Sequence, residues 1–143
     1  MRIKVLLVDD ELDFVEMLSE RLAARGFSVS KALDGKHALS QLSRTGPDVV
    51  VLDVQMPGMD GFAVLREIKQ TSPLTEVLML TGYATVESAV EGIKAGAYDF
   101  ILKPAEMRDL VEKIVAAYNR KSGREEHLRG AAIEEIMLRR GWD

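Results

Sequence analysis

Residues 49–52, Val-Val-Val-Leu, form an unbroken apolar run that ends in a single acid, Asp53. Such a run, with no polar alternation, suits a strand buried on both faces of a parallel sheet. Pro57, Gly58 and Gly61 follow and spell a loop rather than an immediate helix. The stretch therefore carries one carboxylate to the tip of a buried strand and holds it where the chain turns. In open α/β sheets that edge is where ligands bind. The plainer role for Asp53 is to cap the next helix. The eight-residue loop before the next apolar periodicity counts against it.

The same grammar recurs along the chain. Residues 3–8 read as a first strand ending in Asp9, Asp10 and Glu11. These acids stand at the start of a helix over 12–25, where the dipole favours anions. Its inward set is Phe14, Met17, Leu18, Leu22 and Ala23, and Gly26 stops it. Residues 27–32 form a half-buried second strand. A helix over 36–44 follows, with Ala38, Leu39 and Leu42 inward, closed by Gly46 and Pro47. After the central strand comes a helix over 62–70, with Phe62, Val64, Leu65 and Ile68 as its apolar set. Residues 76–80 make a fourth strand terminating in Thr81 and Gly82. A helix over 85–95 places Val86, Ala89, Val90 and Ile93 inward. Residues 98–102 make a fifth strand terminating in Lys103 and Pro104. A helix over 107–118 has Leu110, Val111, Ile114, Val115 and Tyr118 as its stripe. Strand and helix thus alternate five times. The pattern predicts an α/β, doubly wound parallel sheet with helices on both faces and right-handed crossovers.

Composition excludes several classes. At 143 residues the chain is one domain with a short appendage. A net charge of -4 offers no global basic field for nucleic acid. There are no cysteines, so disulfide frameworks and thiolate metal sites are out. The two histidines, His37 and His127, are too few and too far apart for a zinc site. The apolar run near the N-terminus is too short for a signal peptide or membrane span, so a cytoplasmic protein is expected.

Parallel strands place their C-terminal ends on one edge. Asp9 and Asp10, Asp53, Thr81 and Lys103 should therefore share one crevice. Clustered carboxylates repel and raise one another's pKa unless a cation intervenes. A hard divalent ion with oxygen ligands answers this, and Mg²⁺ fits best because it keeps waters and commonly bridges to phosphoryl oxygens. A phosphoryl group is the anion that Lys103 and Thr81 would hold.

These motifs closely resemble the receiver domains of two-component response regulators. The resemblance covers about residues 3–119. It rests on the acid pair in Val8-Asp9-Asp10-Glu11, on Asp53 in a D-x-x-M-P-x-M-D-G context ending at Gly61, on Thr81-Gly82-Tyr83, and on Lys103-Pro104. It implies a flavodoxin-like fold, strand order 2-1-3-4-5, with five flanking helices and a C-terminal helical tail. It also implies that Asp53 accepts a phosphoryl group from a histidine kinase or histidine phosphotransfer protein, with Thr81 and Lys103 assisting. Mg²⁺ would be held by Asp10, Asp53 and the backbone carbonyl of Gln55, with Asp9 acting mainly through water. Thr81 and Phe100 would form the switch, Phe100 following Thr81 from an outward to an inward rotamer. Phe100 lacks the hydroxyl of the Tyr often found there. Gln55 and Tyr83 occupy positions that influence phosphoryl lifetime, and the Lys103-Pro104 bond is expected to be cis.

The tail lies outside the resemblance. Residues 1–121 read as the receiver and 122–143 as a helical extension with no separate effector domain. Residues 120–124 read as a helix end or hinge, and 125–140 as an amphipathic helix carrying Leu128, Ala132, Ile133, Ile136 and Met137. Packing on its own receiver and docking on a second protomer or partner both fit that pattern, with Trp142 a natural contact. The reading is thus a stand-alone phosphorylation switch with a protein-contact output and no direct contact to nucleic acid or membrane. It is not an enzyme beyond its own phosphoryl transfer and slow autodephosphorylation. A phosphatase or phosphotransferase of the haloacid dehalogenase type would want D-x-D at the strand end, and Val54-Gln55 follow Asp53 instead. A constitutive adaptor would not need the full set of site residues.

Overall fold

The computed structural model describes residues 2–56, 58, 60–82 and 85–139. Element order is β1 (Lys4–Val8), α1 (Leu12–Ala24), β2 (Ser28–Ala32), α2 (Gly35–Thr45), β3 (Val49–Leu52), α3 (Gly61–Thr71), β4 (Glu76–Thr81), α4 (Val86–Lys94), β5 (Asp99–Leu102) and α5 (Met107–Arg139). The five strands form one sheet in the order β2-β1-β3-β4-β5, all pairs parallel. This is the flavodoxin-like arrangement expected.

The unbroken apolar run of β3 is explained by its place between two cores. Val49 and Val51 join Val5, Leu7, Leu78 and Leu80 on the side covered by α1 and α5. Val50 and Leu52 join Leu6, Val77 and Met79 on the side covered by α2 and α3. A polar residue at any of the four positions would be buried without water. The edge strand β2 is only half-buried, as its mixed sequence implies.

Three helical faces differ from expectation. In α1 the buried residues are Val15, Leu18 and Leu22, while Met17 is 37% exposed and Ala23 is also exposed. The inward face thus centres on Val15, Leu18 and Leu22, with Phe14 partly buried against the same core. In α4 only Gly92 is buried, and Val86, Val90 and Ile93 are 82%, 46% and 49% exposed. The close approach that Gly92 permits brings Phe100 under the helix, so the apolar stripe faces away from the sheet. The buried face of α5 is Leu110, Ile114 and Ala117, and Val115 points partly outward. The helix expected to end near residue 118 runs without a break to Arg139, through the expected hinge. Trp142 and Tyr83 lie outside the described residues.

Candidate functional site

Asp9, Asp10, Asp53 and Lys103 are the first or second residues beyond their strands and Thr81 is the last within its own, and the backbone ladder reaches this rim. The Asp53 amide donates to Val8 O at 2.9 Å, the Asp9 amide to Ala32 O at 3.2 Å, and the Lys103 amide to Thr81 O at 2.9 Å. These bonds hold residues from distant parts of the sequence in register along one rim. An open cleft of about 880 Å³ results, with Asp10, Asp53, Gln55, Phe62, Thr81 and Lys103 on its walls.

The sequence-predicted acids do meet. Carboxylate oxygens of Asp9, Asp10 and Asp53 lie within 4.8 Å of one another. Asp9 and Asp53 are 4% and 7% exposed, whereas Asp10 is open to solvent. Lys103 Nζ sits 2.5 Å from Asp9 Oδ2, 3.9 Å from Asp53 Oδ2 and 4.0 Å from Glu11 Oε1. Burial pushes the Asp9 carboxyl above its ordinary pKa. The Lys103 and Glu11-amide hydrogen bonds oppose that shift, and the nearby Asp53 charge adds to it. Thr81 is 1% exposed at the end of β4.

The cluster suits a hard divalent cation. It supplies only oxygen donors, concentrates negative charge in a partly buried spot, and leaves one carboxylate facing water, which suits an ion that retains part of its hydration shell.

The loop that presents Asp53 depends on one close backbone approach. The Gly61 amide donates to Val54 O at 2.7 Å. A Cβ on Gly61 would lie 2.2 Å from Asp53 O and 2.6 Å from Val54 Cα, so only glycine fits. Helix capping falls to Asp60, whose Oδ1 accepts the Ala63 amide at 2.8 Å. Asp53 is thus spared the capping role. Its Oδ1 takes a long contact of 3.5 Å from the Gln55 amide. The Lys103-Pro104 bond is cis, as the resemblance implied.

Phe100 is half-buried and packs beneath α4. Its ring lies 3.0 Å from where a Gly92 Cβ would stand, in the cluster that also takes Phe62. Two neighbours were not legible in the sequence. Phe14, read as plain core, holds its ring 4.3 Å from Lys103 Nζ. Glu11, read as part of a helix start, reaches the same ammonium. Neither contact leaves a spacing signal, because each pairs residues about ninety positions apart.

Comparison with known proteins agrees with this geometry. The family model described as "Response regulator receiver domain" matches residues 5–115. Regulatory protein AtoC of Escherichia coli K12 is 40% identical over 107 residues, which span 75% of this chain and 23% of that protein. Transcriptional regulatory protein TrcR of Mycobacterium tuberculosis is 36% identical over 136 residues, spanning 95% of this chain and 51% of that one. The chain therefore spans between about a quarter and a half of the length of these relatives. Among solved structures, a CheY-like receiver domain protein from Methanospirillum hungatei superposes with a TM-score of 0.83 at 27% identity, covering 87% of this chain and 99% of that one. NtrX from Brucella abortus gives 0.82 at 34% identity, covering 88% of this chain and 29% of its own. Strand order, the acid rim and these matches converge, and the chain belongs to the response regulator receiver domain family.

Proposed function

We propose that Asp53 accepts a phosphoryl group from the phosphohistidine of a sensor histidine kinase or a histidine phosphotransfer protein, and that this switches a protein-contact surface. The observation that carries the reading is the placement of a nearly buried Asp53 at a cleft, with two further acids and one ammonium around it. In the transfer an Asp53 carboxylate oxygen bonds to phosphorus as the phosphorus–nitrogen bond to histidine breaks. The imidazole keeps that electron pair and takes a proton. Asp10, Asp53 and the backbone carbonyl of Gln55 would hold Mg²⁺, with Asp9 acting through water. Bound there, the ion offsets charge on the transferring oxygens. Lys103 and Thr81 contribute a cation and a hydroxyl to the same oxygens, placed before the reaction begins.

Charge on Asp53 would then bias a two-state element. Thr81 moves toward the phosphoryl group, and Phe100, packed between α4 and the sheet, repacks with it. The outward stripe of α4, Val86, Val90 and Ile93, and Leu102 of β5, 57% exposed, are the apolar surface that such a change would reshape. A protein target or a second copy is the partner such a surface suits. Net charge of -4 supports protein over nucleic acid as the contact. No helix among the described residues is long and apolar enough to cross a membrane. A cytoplasmic setting, where kinases present phosphohistidine, goes with the reading. No turnover of a separate substrate is part of it.

Incubation with acetyl phosphate and Mg²⁺, followed by intact mass measurement, tests the proposal. One phosphoryl group should be gained by the wild type and none by Asp53→Asn. Equal uptake by both proteins would refute it.

A further inference from the structure

The helix α5 starts beside the phosphoryl cleft and runs down to the opposite edge of the sheet. There it meets the starts of three neighbouring strands. Glu76, the first residue of β4, is 1% exposed. Its Oε1 lies 3.4 Å from Lys69 Nζ of α3 and 3.5 Å from an Arg124 terminal nitrogen of α5. Its Oε2 lies 3.0 Å from Arg120 Nε but receives no hydrogen bond, so that contact is a charge pairing alone. Asp48, just before β3, takes Lys121 Nζ at 2.9 Å and the Lys4 amide at 2.9 Å. Tyr98, just before β5, has the Arg120 guanidinium 5.5 Å from its ring centre. One stretch of helix, residues 120–124, is therefore bound by three strand starts.

That stretch is a poor helix by its own sequence. Ser122 and Gly123 favour other conformations, glycine by about 1 kcal/mol relative to alanine. Gly123 is not there for packing, since a Cβ on it would meet nothing within 4 Å. Beyond Glu125, every described residue is exposed, so nothing on the receiver holds the remaining helix. A segment of that length is marginal as an isolated helix. A carboxylate as buried as Glu76 is costly unless paired, and breaking such a pairing is strongly unfavourable.

We infer that Glu76 is a buried lock that closes a latent hinge at Ser122-Gly123, so that residues 125–139 ride on the receiver as a rigid rod of about 22 Å. The rod points away from Asp53. Its direction is set by Arg120 and Arg124 on one carboxylate, with Lys121 on Asp48 as the second fastening. The inference does not depend on phosphorylation.

The chain has no cysteine, so two introduced ones report without background. Spin labels at Ser43→Cys and Ala131→Cys, both exposed positions, would be read by double electron–electron resonance. The full chain is diluted with unlabelled protein so that only within-chain distances count. The otherwise native chain should give one narrow distance. Glu76→Gln should broaden the distribution about twofold or more, as should Arg120→Gln with Arg124→Gln. Adding Gly123→Ala to the double arginine variant should narrow it again. The arginine side chains are each 44% exposed, so that variant decides the matter if Glu76→Gln does not fold. A broad distribution in the native chain, or an unchanged width in the double arginine variant, would overturn the inference.

Discussion

The ammonium of Lys103 rests 2.5 Å from Asp9 and 3.9 Å from Asp53. The cation beside Asp53, the proposed phospho-acceptor, is thus held by a different, more deeply buried acid. In the proposed transfer it would meet the developing phosphoryl charge without neutralising Asp53 beforehand.

Lys103→Met therefore separates two effects. Removing a cation from the acid cluster should strengthen Mg²⁺ binding, measured by calorimetric titration, because one repulsive charge is gone. Phosphoryl uptake from acetyl phosphate should fall about 100-fold, the scale of losing one preorganised charge partner. Weaker metal binding together with normal uptake would contradict the assigned role.

Asp9 gives a pH prediction whose sign follows from its raised pKa. A carboxyl whose folded pKa exceeds its unfolded value binds more protons when folded. Its contribution to stability therefore falls as pH rises from near 3.8 through the folded value. Where the group is ionised and no metal is bound, its burial is a net cost. Asp9→Asn should then raise stability in urea unfolding at pH 7. The gain should vanish toward pH 4 and shrink when Mg²⁺ stabilises the wild type.

Gly61→Ala should be far worse than an ordinary surface change, because the new methyl group collides with the backbone of Asp53 and Val54. A loss of about 2–3 kcal/mol is expected in urea unfolding, with reduced phosphoryl uptake in whatever remains folded. Gly58→Ala, where a Cβ meets nothing but the backbone φ is +80°, should cost less, about 1 kcal/mol.

Thr81→Ala should leave Mg²⁺ binding nearly intact, since Thr81 is not among the clustered acids. It should uncouple the surface. Amide chemical shifts in α4 and β5 that move on adding beryllofluoride with Mg²⁺ in the wild type should move much less in the variant. Equal shifts in both would place the switch elsewhere.

The rim residues were legible because parallel alternation forces strand ends together. Once Asp9, Asp53, Thr81 and Lys103 are read as strand ends, no further information is needed to juxtapose them. Faces of individual helices were less legible. The stripe of Val86, Val90 and Ile93 has helical spacing, but spacing alone cannot say which way a helix is turned, and Gly92 lets α4 turn it outward. The continuity of α5 was hidden for a different reason. Ser122-Gly123 is a fair local hinge signal, and what overrides it is Glu76, a strand-start acid 44 and 48 positions before the arginines it binds. Long-range charge pairing leaves no periodic trace.

The central claim is that one particular carboxylate carries the phosphoryl group. Borohydride reduction of the protein after treatment with acetyl phosphate and Mg²⁺ converts an acyl phosphate to homoserine, which tandem mass spectrometry locates by position. Homoserine at position 53, and only there, is the predicted result. Homoserine at Asp9, Asp10 or any other acid, with Asp53 unmodified, would contradict the account.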